Sequence, residues 1–215
     1  MLKSLKLIAP LVAAAVAAPM VAQMPMAPFG KPDKTLVQAG TYKADVNHTL
    51  VGWKLNHLGF NDYFGLFGMT TGTLTLDPAH LEAAKVDVTI PVSKVTTANP
   101  ALTAHLLRAP KDAGGKPDFF GPTPADAHFV STSIAPGADG TSAAITGNLT
   151  LNGVTKPVTI AAHFAGAGVN MMGGKATVGF SGTAAIKRSD FGITTFLPLV
   201  SDAVELDISV AFEKQ

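Results

Sequence analysis

Tyr42-Lys43-Ala44-Asp45-Val46-Asn47-His48-Thr49-Leu50-Val51-Gly52-Trp53-Lys54-Leu55-Asn56-His57-Leu58-Gly59-Phe60 decides how this chain is read. Val51, Trp53 and Leu55 alternate with Gly52, Lys54 and Asn56, the period of a strand with one apolar face. The stretch also carries two histidines and the chain's one tryptophan. Two readings follow: a reactive or metal site built on His48 and His57, or one wall of an apolar cavity. The histidines lie an odd number of residues apart, so on one uninterrupted strand they face opposite sides. Asp45 and His48 are of opposite parity as well. The strand reading therefore disfavours a joint metal site, and no metal ligands are assigned.

The same period recurs outward from this segment. Leu74 and Leu76 alternate with Thr73 and Thr75, and Val86, Val88 and Ile90 with Asp87 and Thr89. Leu149 and Leu151 run into Asn152-Gly153, with Val158 and Ile160 beyond. Asn-Gly between alternating runs signals a hairpin, because both turn residues adopt positive φ. Val178, Phe180, Ala184 and Ile186 mark another strand. Val204, Leu206, Ile208, Val210 and Phe212 mark the last, with Glu205, Asp207 and Ser209 on its wet face. So many strands, each with one dry face, predict an all-β fold: an antiparallel sheet closed into a barrel of about eight strands. One short helix is expected near residues 100–108, with Asn99 as N-cap and Pro100 in the first turn, closing an end of the barrel or crossing its mouth. The recurrent small residues Gly147, Ala161, Gly179, Gly182 and Ala184, if inward, leave room in the lumen; relief of barrel curvature is the other reading of the glycines.

Composition bounds the function. The chain has 215 residues, 47% of them hydrophobic, and a formal net charge of +1, which gives no electrostatic footprint for nucleic acid. Lys3 and Lys6 ahead of the apolar run Leu7–Ala18 read as an export signal over residues 1–22, cleaved after Ala22, so a periplasmic location is expected. Pro10 and Pro19 interrupt that run, which is shorter than a membrane span needs. Residues 23–40 mix Pro, Met and Gly without periodicity and read as a flexible lead-in to a domain over 41–215. The chain has no cysteine, which leaves out disulfides, thiolate catalysis and a cysteine-linked lipid anchor.

Specific blocks then become informative together. Tyr42-x-x-Asp45-x-x-His48-Thr49 with Trp53, His57 and Phe67-Gly68 is followed by Val92-Ser93-Lys94-Val95-Thr96-Thr97 and the His105-Leu106 pair. Phe119-Phe120, the Phe129–Ile134 run, the Gly147–Val158 run and Lys187-Arg188-Ser189-Asp190-Phe191-Gly192-Ile193 complete the series. In this order, from Thr41 to the C-terminus, they resemble the YceI-like family. That resemblance implies an exported, lipocalin-like antiparallel barrel that binds polyisoprenoid chains, and a homodimer, although the sequence shows no interface. The chain departs from the family pattern in three places. Ala109–Pro117 is inserted before Phe119, Lys187 replaces an Asn, and Asp126-Ala127-His128 replaces a Tyr-Pro pair; all three are expected near the cavity entrance.

The expected ligand wall follows from the dry faces. It comprises Trp53, Leu55, Phe67, Leu74, Leu76, Val88, Ile90, Phe120 and Phe129 in the first half of the chain. Leu149, Ile160, Phe180, Ile186, Phe191, Leu206 and Ile208 complete it. His57, on the Trp53 face, and Arg188 are candidate head-group contacts. The competing readings are a histidine donating to a backbone carbonyl and an arginine paired with a carboxylate at a structural corner. No nucleophile elbow, zinc-protease motif, phosphate loop or carboxylate pair occurs. No catalytic residues or cofactor are assigned; the expected partner is an isoprenoid lipid or quinone. An enzyme using His57 or His48 as base, and a ligand-free interaction barrel, are the alternatives.

Overall fold

A computed structural model describes residues 28–215. The expected export segment, and residues 23–27 of the lead-in, lie outside the described residues. The strands are β1 (Gly40–Ala44), β2 (Leu50–His57), β3 (Asn61–Phe67), β4 (Thr71–Leu76), β5 (Lys85–Ile90) and β6 (Val95–Thr97). After helix α1 (Pro100–Leu106) come β7 (Ala127–Pro136), β8 (Ser142–Leu151), β9 (Val154–Asn170), β10 (Lys175–Lys187) and β11 (Ala203–Lys214). All pairings are antiparallel, in the order β1-β4-β5-β7-β8-β9-β10-β11, and β11 closes back on β1. Eight strands thus form a closed barrel, with β2, β3 and β6 continuing from β11. Closure pairs β11 along both edges, with β10 on one side and β1 and β2 on the other, so few of its backbone groups are left open.

The local chemistry explains several elements. Asn152 and Gly153 take φ of 52° and 76°, joining Leu151 to its partner Val154 in the expected two-residue hairpin. Asn99 caps α1 by accepting from the Ala101 backbone N–H at 2.9 Å, with Pro100 in the first turn. The Phe129 ring covers Gly147 on the neighbouring strand, and a Cβ at that glycine would run into the ring and the Val130 carbonyl. Gly147→Ala is therefore expected to destabilise the fold by about 1–3 kcal/mol, as overpacking does, read from the midpoint of urea unfolding.

The opening stretch is not one strand. It breaks at residues 45–49, where a turn hands the edge of β11 from β1 to β2. Tyr42 to Ala44 pair with Lys214 to Phe212, and Leu50 to Lys54 with Ser209 to Glu205. The break brings His48 Nδ1 to 2.6 Å from Asp45 Oδ2, a pairing that continuous-strand parity excluded.

The described part of the lead-in also touches the barrel. Beyond the end of β8 the edge of β9 is open, and Lys31 fills it through two backbone hydrogen bonds with Ala167, 3.0 and 2.9 Å. A single 3-10 turn over Lys34–Leu36 follows, capped by the Asp33 carboxylate. An unpaired strand edge attracts any chain able to supply its hydrogen bonds.

Two apolar clusters flank the lumen. Val92, Ala127, Phe129, Leu151, Phe191 and Ile193 pack at the β6 end, and Tyr42, Leu74, Phe164, Ala167, Val178 and Phe212 at the other.

Candidate functional site

Between the clusters the lumen is open. It holds a cavity of about 510 Å³, within the size range that buries a small ligand. Period-two alternation sends one face of every barrel strand into this space, so its walls are mostly Leu, Ile, Val, Phe and Ala side chains. Leu206, Ile208, Val210, Phe180 and Ile160 are only half-buried because their surfaces face the lumen rather than other side chains. Room is left by three small residues in register across β8, β9 and β10: Ala143 opposite Ala162, and Ala162 opposite Gly182. Ala184 and Gly182 face the lumen as expected. Ala161 is exposed and lines no cavity, and Gly179 lines none either.

The exposed wall residues, Ser181 on β10 apart, gather at one end and mark the mouth. They are Lys34 and Thr35 of the N-terminal 3-10 turn, Pro78 of the β4–β5 connection, and Pro136 and His163 beside the β7–β8 turn. Among the described lining residues there is no carboxylate and no arginine; Lys34 is the one permanently charged side chain. Asp139 shapes the rim. Its Oδ1 accepts from the Thr141 and Ser142 backbone N–H groups at 2.9 and 2.8 Å, and from Ser142 Oγ at 2.9 Å. These bonds hold its carboxyl well below the usual carboxylate range, the Thr141 backbone bond contributing most. A folded-state value below the unfolded one adds stability above about pH 4, and that contribution is lost as pH falls toward the folded value. Asp139→Ala is accordingly expected to lower stability at pH 7, and its gap from the native protein should narrow steadily below about pH 4 in parallel urea titrations.

The sequence-derived wall divides in two. Phe67, Leu74, Leu76, Val88, Ile90 and Phe129 line the cavity, as do Leu149, Ile160, Phe180, Ile186, Leu206 and Ile208. Trp53, Leu55, His57, Phe120, Arg188 and Phe191 do not. Trp53 pairs with Leu206 and faces inward, but its ring folds down over Gly65 of β3 and packs near Tyr63, 6.4 Å between centroids. Leu55 lies opposite Tyr63 in the same ladder. His57 is exposed at the end of β2, opposite Asn61, with its backbone bridging to Val200. Phe120 packs edge-on against Phe67, 5.9 Å between centroids, and Phe191 is 1% exposed within the core.

Arg188 is 3% exposed and turned away from the cavity. Its Nε donates to the Ser201 carbonyl at 2.9 Å, Nη1 to Ile193 and Thr195 at 3.0 and 2.9 Å, and Nη2 to Val200 at 2.8 Å. The guanidinium fork thus ties the 193–201 loop to the end of β10. Asp202 sits beside it and accepts from Ser189 N–H and Oγ at 2.9 and 2.7 Å. Burial pulls the guanidinium pKa down, and the Asp202 charge opposes that shift. The corner reading of Arg188 anticipated a carboxylate partner; backbone carbonyls take that place. Gly192 carries the corner's left-handed φ of 74°.

His48 and His57 stand at opposite ends of β2, and no group of three His, Cys, Asp or Glu able to hold a metal occurs among the described residues. The Ala109–Pro117 insertion and Lys187 line no part of the cavity. Ala127 does, at the buried end opposite the mouth, so the departures from the family pattern are not grouped at the entrance. Residue periodicity missed Thr49 and Thr70, which line the cavity from breaks between strands, and the rim residues Lys34 and Thr35. Val86 and Val210 lay on the expected dry faces and also belong to the wall.

With this geometry established, similarity to known proteins becomes interpretable. A family model described as a YceI-like domain matches residues 42–212. A UPF0312 protein of Ectopseudomonas mendocina (strain ymp) is 41% identical over 164 residues, 76% of this chain and 81% of that protein. Protein YceI of Salmonella arizonae is 41% identical over 175 residues, 80% and 86% of the two chains. The crystal structure of the Campylobacter jejuni YCEI protein matches with a TM-score of 0.60 at 30% identity, over 74% of this chain and 90% of that one. A polyisoprenoid binding domain from Saccharophagus degradans, implicated in plant cell wall breakdown, matches with a TM-score of 0.57 over 81% of this chain and 98% of its own. At 12% identity that likeness speaks to the fold alone.

Proposed function

The chain belongs to the YceI-like family, and from that premise we propose that it is an exported binding protein that sequesters a long-chain isoprenoid, a polyprenyl or isoprenoid quinone, or a similar amphiphilic lipid. One observation carries the reading: an apolar lumen of about 510 Å³ inside a closed barrel, walled by aliphatic and aromatic side chains. Each methylene moved there from water contributes about 0.8 kcal/mol, so a few prenyl units are enough for firm binding. The existence of a fold relative named as a polyisoprenoid binding domain agrees with this chemistry. Binding needs no bond to break. The Lys3–Ala18 pattern supports export, and with it a periplasmic carrier, since a long apolar chain there needs shelter from water.

The test is extraction of the protein purified from its native host, followed by mass spectrometry of the organic phase. An isoprenoid recovered at near-equimolar amount supports the proposal. Extracts without lipid, together with failure of isoprenoid probes to bind the purified barrel, overturn it.

A further inference from the structure

Apart from Ser181 on β10 and the polar residues near the mouth (Lys34, Thr35, Thr141, Ser142 and His163), the cavity wall is polar only where its strands break. β1 hands over to β2 at residues 45–49, and β3 to β4 at residues 68–70. Both breaks lie just beyond the Val51–Phe67 pair of the β2–β3 ladder, roughly midway along the lumen. Thr49 and Thr70 occupy them, each 2% exposed and each lining the cavity. Thr70 Oγ1 is buried and has no hydrogen-bond partner among the described residues. Thr49 Oγ1 reaches only the Ala211 carbonyl, at 3.5 Å, too long for a strong bond.

A buried hydroxyl without a partner is unfavourable, and such groups are normally satisfied by protein, water or ligand. The neighbouring walls, Val51, Phe67, Ile208 and Val210, offer nothing to Thr70. The missing partner therefore comes from the lumen. It carries no charge, because no cation lines the middle of the cavity and Lys34 stands at the mouth. A phosphate or carboxylate seated at that depth would be an uncompensated buried ion.

We propose that Thr70, with Thr49 beside it, forms a polar seat in mid-barrel for an uncharged oxygen function, an alcohol or a quinone-type carbonyl, of the bound amphiphile. This rests on the lipid-binding reading and narrows it: the charged phosphate esters of the same chains are disfavoured. Thr70→Val keeps the shape and removes the hydroxyl; Thr70→Ser keeps the hydroxyl.

Calorimetric titration of the purified protein with farnesol, farnesene and farnesyl phosphate separates the cases. The native protein is expected to bind farnesol more tightly than farnesene by roughly 3–10-fold, what one net hydrogen bond is worth. Thr70→Val should bring farnesol down to the farnesene level while leaving farnesene unchanged, and Thr70→Ser should bind farnesol like the native protein. Thr70→Ala carries the same expectation for the alcohol should valine impair folding, judged by circular dichroism. Equal farnesol affinity in native and hydroxyl-free proteins overturns the seat, as does tighter binding of farnesyl phosphate than of farnesol. Binding of none of the three overturns the lipid-binding reading itself.

Discussion

Arg188→Ala is expected to lose about 3–5 kcal/mol of folding free energy, a large part of the total for a domain of this size, and to leave much of the protein unfolded at 37 °C. The guanidinium donates to the carbonyls of Ser201, Ile193, Thr195 and Val200, and it is 3% exposed, so water does not replace it. Truncation orphans buried acceptors at once, where each lost bond costs far more than an exposed one. Arg188→Lys should recover only a small part, because one ammonium cannot reproduce a planar fork that reaches four carbonyls. Urea unfolding monitored by circular dichroism measures both. A near-native midpoint for Arg188→Ala would mean that the corner holds without the fork.

Ala162→Phe is expected to lower isoprenoid affinity by roughly tenfold or more while the barrel still folds. Ala162 sits between Ala143 and Gly182 in the row of small residues that keeps the lumen open, so a benzyl group there takes the ligand's volume. Because the ring would enter the lumen rather than the packed clusters, the stability change should stay within the roughly 1–3 kcal/mol range of an overpacked core. The exposed neighbour Ala161 supplies the control: Ala161→Phe adds the same bulk outside the barrel and should leave farnesol binding unchanged. Calorimetry on the two variants side by side isolates occupancy of the lumen from any general effect on the fold. Equal binding by both would place the ligand somewhere other than this cavity.

These two expectations invert the roles that residue types suggested. An arginine beside an aromatic and a glycine resembles a ligand contact, yet the loop from Ile193 to Ser201 folds back around it and takes four of its five N–H donors. An alanine on a strand looks like filler, yet it decides whether the barrel contains space. Neither fact is visible in a run of letters, because both depend on which residues lie across from one another.

The β11 stripe from Val204 to Phe212 was legible because alternation needs only the strand's own period, and the dry face then found the lumen. The Asn152-Gly153 hairpin and the Asn99-Pro100 helix start were legible for the same reason: φ preferences and capping are local. The opening segment defeated the parity argument. Its turn at 45–49 exists because β11 is longer than either partner and needs two strands along one edge, which is a property of the closed barrel.

The sequence by itself determined the alternating dry faces, the turns that join them and, through the ordered motif blocks, the YceI-like barrel, since each depends on residues close together in the chain. Only the tertiary structure decided that Trp53 lies over Gly65 instead of in the cavity, that Lys31 completes the edge of β9, and that the unpaired Thr70 hydroxyl lines the lumen. Those outcomes depend on cross-strand register and on the way the barrel closes, which bring together residues that no local pattern relates.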